Sequence, residues 1–327
     1  MKKASLLSVL LLLISLLLSG CGSQYYGANI IRFNNADPSV VKAMTFNIRT
    51  KTFIDGFNGW NHRKDIVFDV LSDNAPDVFG LQEARYSQYR AIRQTLPQYG
   101  AYAAGRRNGK ASGESCPIFY RRDRFTLAEA GTFWFSDTPS VPGSKDWGNM
   151  PPRICSWARL IERQTRSSFY VYNLHLDNLS QNSREKSVRL LTEKINLRKT
   201  KDPFIVMGDF NMRPNNPAML YLDRIGQSNM YVKSVDTWKV VHPGRNIGTR
   251  HGFEGSLDGP QIDHIRISPN LQALDARIDH RHDGNGRYPS DHFPLIARIL
   301  LAPAAGRSFT STAAEDTANA AKQLPDV

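Results

Sequence analysis

The chain has 327 residues, with 42 Lys and Arg against 30 Asp and Glu and a net charge of +12. Hydrophobic residues at 41% and charged residues at 22% describe a globular chain and exclude a disordered one. Three cysteines exclude a disulfide-framework protein, and the composition excludes collagen-like, coiled-coil and multi-span membrane classes.

Residues 1–20 have the form of an export signal. Lys2 and Lys3 precede an apolar run from Leu6 to Leu18 that is short, and wrongly flanked, for a transmembrane helix. The run ends in Leu18-Ser19-Gly20-Cys21, which resembles a bacterial lipoprotein lipobox. That resemblance implies lipidation of Cys21 and a membrane as partner through the lipid anchor. With Gly22 next, it implies the outer membrane within the cell envelope. Residues 21–39 read as the lipidated cysteine and a flexible tether, 40–302 as one domain, and 303–327 as a disordered tail rich in Ala, Thr and Ser.

Within 40–302, Val41–Asn47 reads as a strand. His62–Asn74 carries Ile66, Val67, Val70 and Leu71 at helical spacing. Asp77–Gln82 is a second strand, and residues 116–177 hold consecutive strands ending in Phe169–His175. Ser183–Lys199 is a helix with Val188, Leu191 and Ile195 on one face. Asp202–Met207 is fully apolar after its first residues, which predicts a central strand. Ile262–Ser268 and Phe293–Leu301 complete the set, with Asp263 and His264 interrupting the first of these. Successive strands among helices predict a mixed α/β sandwich rather than a doubly wound sheet.

Polar residues collect where the apolar runs stop. They are Asn47, Glu83, His175 with Asp177, Asp209 with Asn211, Asp263 with His264, and Asp291 with His292. Strand ends opening onto loops are where α/β scaffolds place ligands. Hydrolysis of a phosphoester needs a hard cation, a group that takes a proton from water, and donors for the developing charge. Glu83 with Asn47 and Asp291 suits Mg²⁺, which prefers oxygen ligands, and His175 and His292 supply proton-transfer groups near neutral pH. A zinc site is disfavoured by the lack of a cysteine cluster or a His-Glu-x-x-His pattern.

These residues resemble the endonuclease/exonuclease/phosphatase superfamily, the deoxyribonuclease I-like fold. The matches are Met44-Thr-Phe-Asn47, Leu81-Gln-Glu83, Asn173-Leu-His175-Leu, Gly208-Asp-Phe-Asn211, Ile262-Asp-His264 and Ser290-Asp-His-Phe-Pro294. Gly59-Trp-Asn-His-Arg63, Pro117-Ile-Phe-Tyr-Arg121 and Gly131-Thr-Phe-Trp134 are similar to a bacterial branch of it. The resemblance implies an α/β four-layer sandwich of two packed mixed β-sheets flanked by helices, with the site at one edge. It implies Glu83, Asn47 and Asp291 as ligands of Mg²⁺, with Mn²⁺ as substitute. Asp209 would orient or deprotonate water, Asn211 would help orient Asp209 and donate to the phosphate, and His292 would bind the phosphate or act as base, oriented by Asp263. His175 would act as general acid or stabilise the pentavalent transition state, protonated. One departure from some nuclease branches is Arg49, where an extra acid stands there.

The resemblance and the charge together predict a metal-dependent phosphoester hydrolase, first a phosphodiesterase or nuclease of the cell envelope. The alternatives are a phosphatase or phospholipase-C-like enzyme on inositol, sugar-phosphate or sphingolipid head groups, and then a non-catalytic binding lipoprotein. The partner is a phosphate ester, either nucleic acid or a phosphorylated head group, and a monomer is expected. The densest basic cluster is Arg106, Arg107, Lys110, Arg121, Arg122 and Arg124. Loop candidates for substrate selection are Arg49, Trp60, His62, Arg63, Glu114, Trp147, Arg153 and His251. Cys116 and Cys155 have two outcomes, a disulfide or two buried thiols.

Overall fold

The computed structural model describes residues 37–224 and 233–301. The export signal, Cys21, nearly all of the tether and the tail lie outside the described residues. The chain begins with β1 (Val40–Asn47), α1 (Trp60–Asn74), β2 (Val78–Gln82), β3 (Ala84–Arg85), α2 (Tyr86–Thr95) and β4 (Tyr99–Tyr102). It continues with β5 (Glu114–Ser115), β6 (Ile118–Arg121), β7 (Phe125–Trp134), β8 (Ile154–Glu162), β9 (Ser168–His175) and α3 (Gln181–Asn196). The last elements are β10 (Phe204–Asp209), α4 (Pro217–Arg224), β11 (Val235–Asp236), α5 (Thr237–Val241), β12 (Asp263–Ile267), β13 (Gln272–Ile278) and β14 (Leu295–Leu300).

Two six-stranded mixed sheets form, in the orders β13-β14-β1-β2-β6-β4 and β11-β12-β10-β9-β8-β7. Alternation along each strand makes them a sandwich. Val41 and Ala43 of β1 join Val171 of β9, Ile205 and Met207 of β10 and Ile265 of β12 in one core between the sheets. The opposite face of β1, Met44 and Phe46, meets Val67, Val70 and Leu71 of α1. The outer face of the second sheet, Tyr172, Leu174 and Val206, meets Val188, Leu191 and Ile195 of α3. Helix, sheet, sheet and helix therefore stack as the expected four layers. Each fully buried aliphatic or aromatic side chain contributes about 1.5–3 kcal/mol, so three apolar interfaces outweigh any surface pair here.

Several boundaries move for local reasons. The helix expected over Ser183–Lys199 starts at Gln181, because Ser180 caps it by accepting from Ser183 N at 3.1 Å. The strand expected to end at Met207 runs to Asp209, because β9 and β12 pair with it to that residue. Asp263 and His264 do not interrupt a strand; they are its first two residues. Cys116 and Cys155 are free, buried thiols. The basic cluster is largely spent on structure. Arg121 and Arg124 both hold Asp77, at 2.9 and 2.7 Å, Arg106 pairs with Glu114 at 2.7 Å, and Arg122 donates to Tyr99 O at 2.9 Å.

Candidate active site

The inward-facing row of four strands runs out at one edge of the sandwich, and each row ends in a polar residue. On β1 the row 41, 43, 45 ends in Asn47, on β9 the row 169, 171, 173 ends in His175, and on β10 the row 205, 207 ends in Asp209. On β12 the row 267, 265 ends in Asp263. Asp209 stands opposite His175 across the parallel pair and opposite Asp263 across the antiparallel pair. Gly208 is required at its position. Its φ is +148°, and a Cβ there would lie 2.1 Å from Leu174 O.

Glu83 would face the helix layer if β2 simply continued. Its left-handed backbone, φ +60°, breaks the alternation and brings its carboxylate to Asn47. Asn47 Nδ2 donates to Glu83 Oε1 at 3.3 Å and to Asp209 Oδ2 at 3.0 Å, and Thr50 N donates to Glu83 Oε2 at 2.9 Å. Asn211, also left-handed, donates its backbone N–H to Asp209 Oδ1 at 2.8 Å. The imidazole of His292 bonds Asp263 Oδ2 through Nδ1 at 2.8 Å, and its Nε2 lies 3.9 Å from Asp209 Oδ2. His175 Nε2 lies 3.6 Å from the same oxygen.

Electrostatics assign the protons. Burial alone would lower His292, but the carboxylates of Asp263, Asp209 and Asp291 raise it, so it is an imidazolium at neutral pH. Burial, then the Asp263 carboxylate, raises Asp209 towards the range where a general base works. His175 departs from the expected protonated role. Burial, then Arg153 and Arg106, hold it well below its ordinary value, so it is a neutral hydrogen-bonding group.

Glu83, His175, Asp209, Asn211 and His292 line a cleft of about 580 Å³ with Arg49, Arg106, Glu114, Arg153, Arg213, Arg250 and Asp291, whereas Asn47 and Asp263 are buried against Asp209 and His292 and do not line it. Arg49 is held by Asp55 at 2.7 Å, and Arg153 by Asp177 at 3.2 Å. Among the described residues, no carboxylate pairs with the exposed Arg213 and Arg250. Arg49, Glu114 and Arg153 thus reach the cleft as expected. His62, Arg63 and His251 do not line it. His62 lies on a neighbouring surface pocket with Lys51 and Arg85. Arg63 is fully buried and gives its guanidinium to four backbone carbonyls, those of Ile48, Arg49, Asn58 and Pro289. His251 stacks on Phe293 at 3.8 Å and accepts from Gly255 N through Nδ1. Trp60 is buried in the α1 core, and Trp147 donates to Asp137 at 2.9 Å outside the cleft. Sequence reasoning missed Arg213, Arg250 and Thr249. The last is fully buried, and its hydroxyl oxygen accepts from Ile262 N at 3.0 Å and Asp263 N at 3.1 Å while its carbonyl accepts from Phe293 N at 2.7 Å. It ties both halves of the Asp263–His292 pair, and no motif marks it.

The donor chemistry fits a hard divalent cation. Glu83, Asp291 and Asn47 offer only oxygen ligands, whereas His292 already uses Nδ1 on Asp263. Ligand atoms of Asp209, Asp263 and His292 also lie within 4.8 Å of one another, but His292 Nδ1 and Asp263 Oδ2 are already bonded to each other.

A sequence model of the Endonuclease/Exonuclease/phosphatase family matches residues 44–292. The chain belongs to this family. It is similar to an endonuclease/exonuclease/phosphatase from Bacteroides vulgatus, with TM-score 0.74 and 29% identity over 80% of this chain and 99% of that one. It is also similar to a mannosyl-6-phosphatase from Bacteroides thetaiotaomicron, with TM-score 0.71 and 30% identity over 80% and 99%. An uncharacterized protein of Acanthamoeba polyphaga mimivirus is 29% identical over 72% of this chain and 91% of its own length. As a member of this family the chain is a phosphoester hydrolase.

Proposed function

We propose that the chain is a divalent-cation-dependent phosphatase acting on phosphate monoesters of small hydroxyl-rich molecules, sugar phosphates foremost. The lining of the cleft carries this reading. It is polar, rich in arginine and without a Phe, Tyr or Trp side chain, and its two imidazole rings, His175 and His292, belong to the catalytic group. Single-stranded nucleic acid is held by stacking bases on aromatic rings, and duplexes by long tracks of free Lys and Arg. The cleft has no such platform, and Arg121, Arg122 and Arg124 of the densest basic cluster are engaged elsewhere. The likeness to a mannosyl-6-phosphatase supports the same substrate class. The diesterase reading drew on net charge and has no comparable support in the cleft. The export signal and Cys21 make the cell envelope the proposed location.

Glu83, Asn47 and Asp291 would hold Mg²⁺, or Mn²⁺ in its place, and the ion would neutralise charge on the phosphate. Arg213 and Arg250 are free to pair with phosphate oxygens at the rim. Asp209 orients the attacking water and takes its proton. The Asn211 backbone and the Asn47 amide fix Asp209 for that task. His292, kept protonated by Asp263, donates from Nε2 to a non-bridging oxygen as negative charge grows there. The water oxygen bonds phosphorus as the phosphorus–ester-oxygen bond opposite it breaks, and the departing ester oxygen takes a proton from solvent water to leave as the alcohol.

The test is turnover of p-nitrophenyl phosphate, bis-p-nitrophenyl phosphate, hexose 6-phosphates and DNA by the full chain, with Mg²⁺ and then EDTA. Monoesters should be hydrolysed, EDTA should stop the reaction and Mg²⁺ should restore it. Faster cleavage of DNA or the diester than of every monoester would overturn the proposal, and so would turnover indifferent to EDTA.

A further inference from the structure

Beside the catalytic cleft lies a second cavity of about 330 Å³. Arg213 lines both. The run Gly259–Ile262 is the wall between them, with Gly259 and Gln261 on the second cavity and Pro260 and Ile262 on the cleft. That wall is firmly held. Thr249 N and Arg250 N both donate to Pro260 O, at 3.1 and 3.2 Å. A Cβ at Gly259 would lie 2.0 Å from Arg250 O, so only glycine permits this approach.

The cavity offers the amides of Asn215, Asn246 and Gln261 and the carboxylate of Asp258, set against Ile247 and Leu257. Gln261 is 3% exposed, and its buried Oε1 has no hydrogen-bond partner. An unsatisfied buried acceptor is costly, and a turn of the Gln261 side chain towards a ligand donor in the cavity would relieve it. Amides pair with hydroxyls as donor and acceptor at once, and the apolar side chains suit the C–H face of a ring. Asp258 disfavours a second phosphate. The cavity lining contains no aromatic ring to stack a base.

We infer that this cavity is a second subsite, which takes a neutral sugar ring joined to the phosphorylated one. The substrate is then a phosphorylated glycoside rather than a free monosaccharide phosphate. This rests on the monoesterase reading and extends it. The experiment compares kcat/KM of the full chain with Mg²⁺ on a hexose 6-phosphate, the matching phosphorylated disaccharide and p-nitrophenyl phosphate. The disaccharide should be preferred over the monosaccharide by about tenfold, which corresponds to about 1.4 kcal/mol of subsite binding. Gln261→Leu and Asn246→Ala should each reduce that ratio towards one. Asn246 is exposed, so its variant keeps the test sound if the buried Gln261 variant fails to fold. Metal-dependent turnover of p-nitrophenyl phosphate with no disaccharide preference would overturn the subsite alone. A preference unchanged in Asn246→Ala and in a folded Gln261→Leu would also overturn it. Absence of any monoester turnover would overturn the phosphatase reading, and the subsite with it.

Discussion

Thr249→Val removes one hydroxyl and keeps the shape of the side chain. In the wild type that oxygen accepts from the backbone N–H groups of Ile262 and Asp263, at 3.0 and 3.1 Å, in a fully buried position. Valine leaves both donors without a partner. Each buried unsatisfied group costs about 1–3 kcal/mol, so the pair predicts a stability loss of about 3 kcal/mol after partial relaxation. The same two donors fix the start of β12, and Asp263 there holds His292 at 2.8 Å. A shift of about 1 Å in a catalytic group costs on the order of 10²-fold in rate. Urea unfolding should therefore show a lower midpoint for Thr249→Val, and turnover of p-nitrophenyl phosphate well below the unfolding range should fall by about that factor. Thr249→Ser restores the acceptor and should recover most of both. A valine variant with wild-type midpoint and wild-type kcat would refute the claim that this hydroxyl positions the Asp263–His292 pair.

The remaining expectations concern other links of the chain. Asp209→Ala and His292→Ala should each lower kcat by at least about 10²-fold while circular dichroism stays native, because each removes a group aimed at the reacting phosphate rather than a core contact; near-normal turnover in either would place the chemistry elsewhere. Burial would raise the Asp236 carboxyl, but the hydrogen bond from His264 and the charge of Arg266 hold it at about 2, below its ordinary 3.8. A depressed folded value means stability present above pH 3.8 and lost as pH falls through 2, worth about 2 kcal/mol, and thermal midpoints of Asp236→Asn should lack that acid-side drop. Gly80→Ala would place a Cβ 2.6 Å from the Asn173 amide, so it should lower the unfolding midpoint and reduce turnover; a neutral alanine would show that the sheets can shift there freely. In a bacterial host, Cys21→Ser should abolish incorporation of labelled palmitate into the full chain, and undiminished labelling would exclude lipidation at that residue.

What the sequence made legible follows from periodicity. The inward rows of β10 and β12 are apolar until Asp209 and Asp263 end them, and those of β1 and β9 turn polar over their last two members, Thr45 with Asn47 and Asn173 with His175, so the end of each row could be found by where the pattern stops. Glu83 could be found only by its neighbours in the motif, because its arrival in the cleft depends on a left-handed backbone that alternation cannot foresee. Arg63 and His251 misled for the opposite reason. Arg63 stands in the first turn of a helix and His251 in polar loop sequence, yet each is consumed by partners distant in the chain, Pro289 O for Arg63 and Phe293 for His251. Thr249 left no trace, since its worth lies in two backbone donors thirteen and fourteen residues away.

Asn173 shows how far a motif can be read and where geometry must take over. It belongs to the Asn-Leu-His run that ends in His175, and it shares the inward face with His175 two residues on. Yet its amide never reaches the cleft. Nδ2 donates to Leu81 O at 2.9 Å and to Pro117 O at 2.8 Å, and Oδ1 accepts from Gln82 Nε2 at 2.6 Å. Those three bonds cross from the second sheet to the first, one residue below Glu83. Gly80 leaves the space that the crossing needs. Asp209 and His175 are aligned by strand register within one sheet, but the Glu83 and Asn47 wall belongs to the other. Only a contact between sheets can set the gap between the proposed cation ligands and the proposed base. Beside the direct Asn47–Asp209 bond, Asn173 provides such a contact in a buried place where three satisfied hydrogen bonds resist sliding better than apolar packing, which has no preferred register.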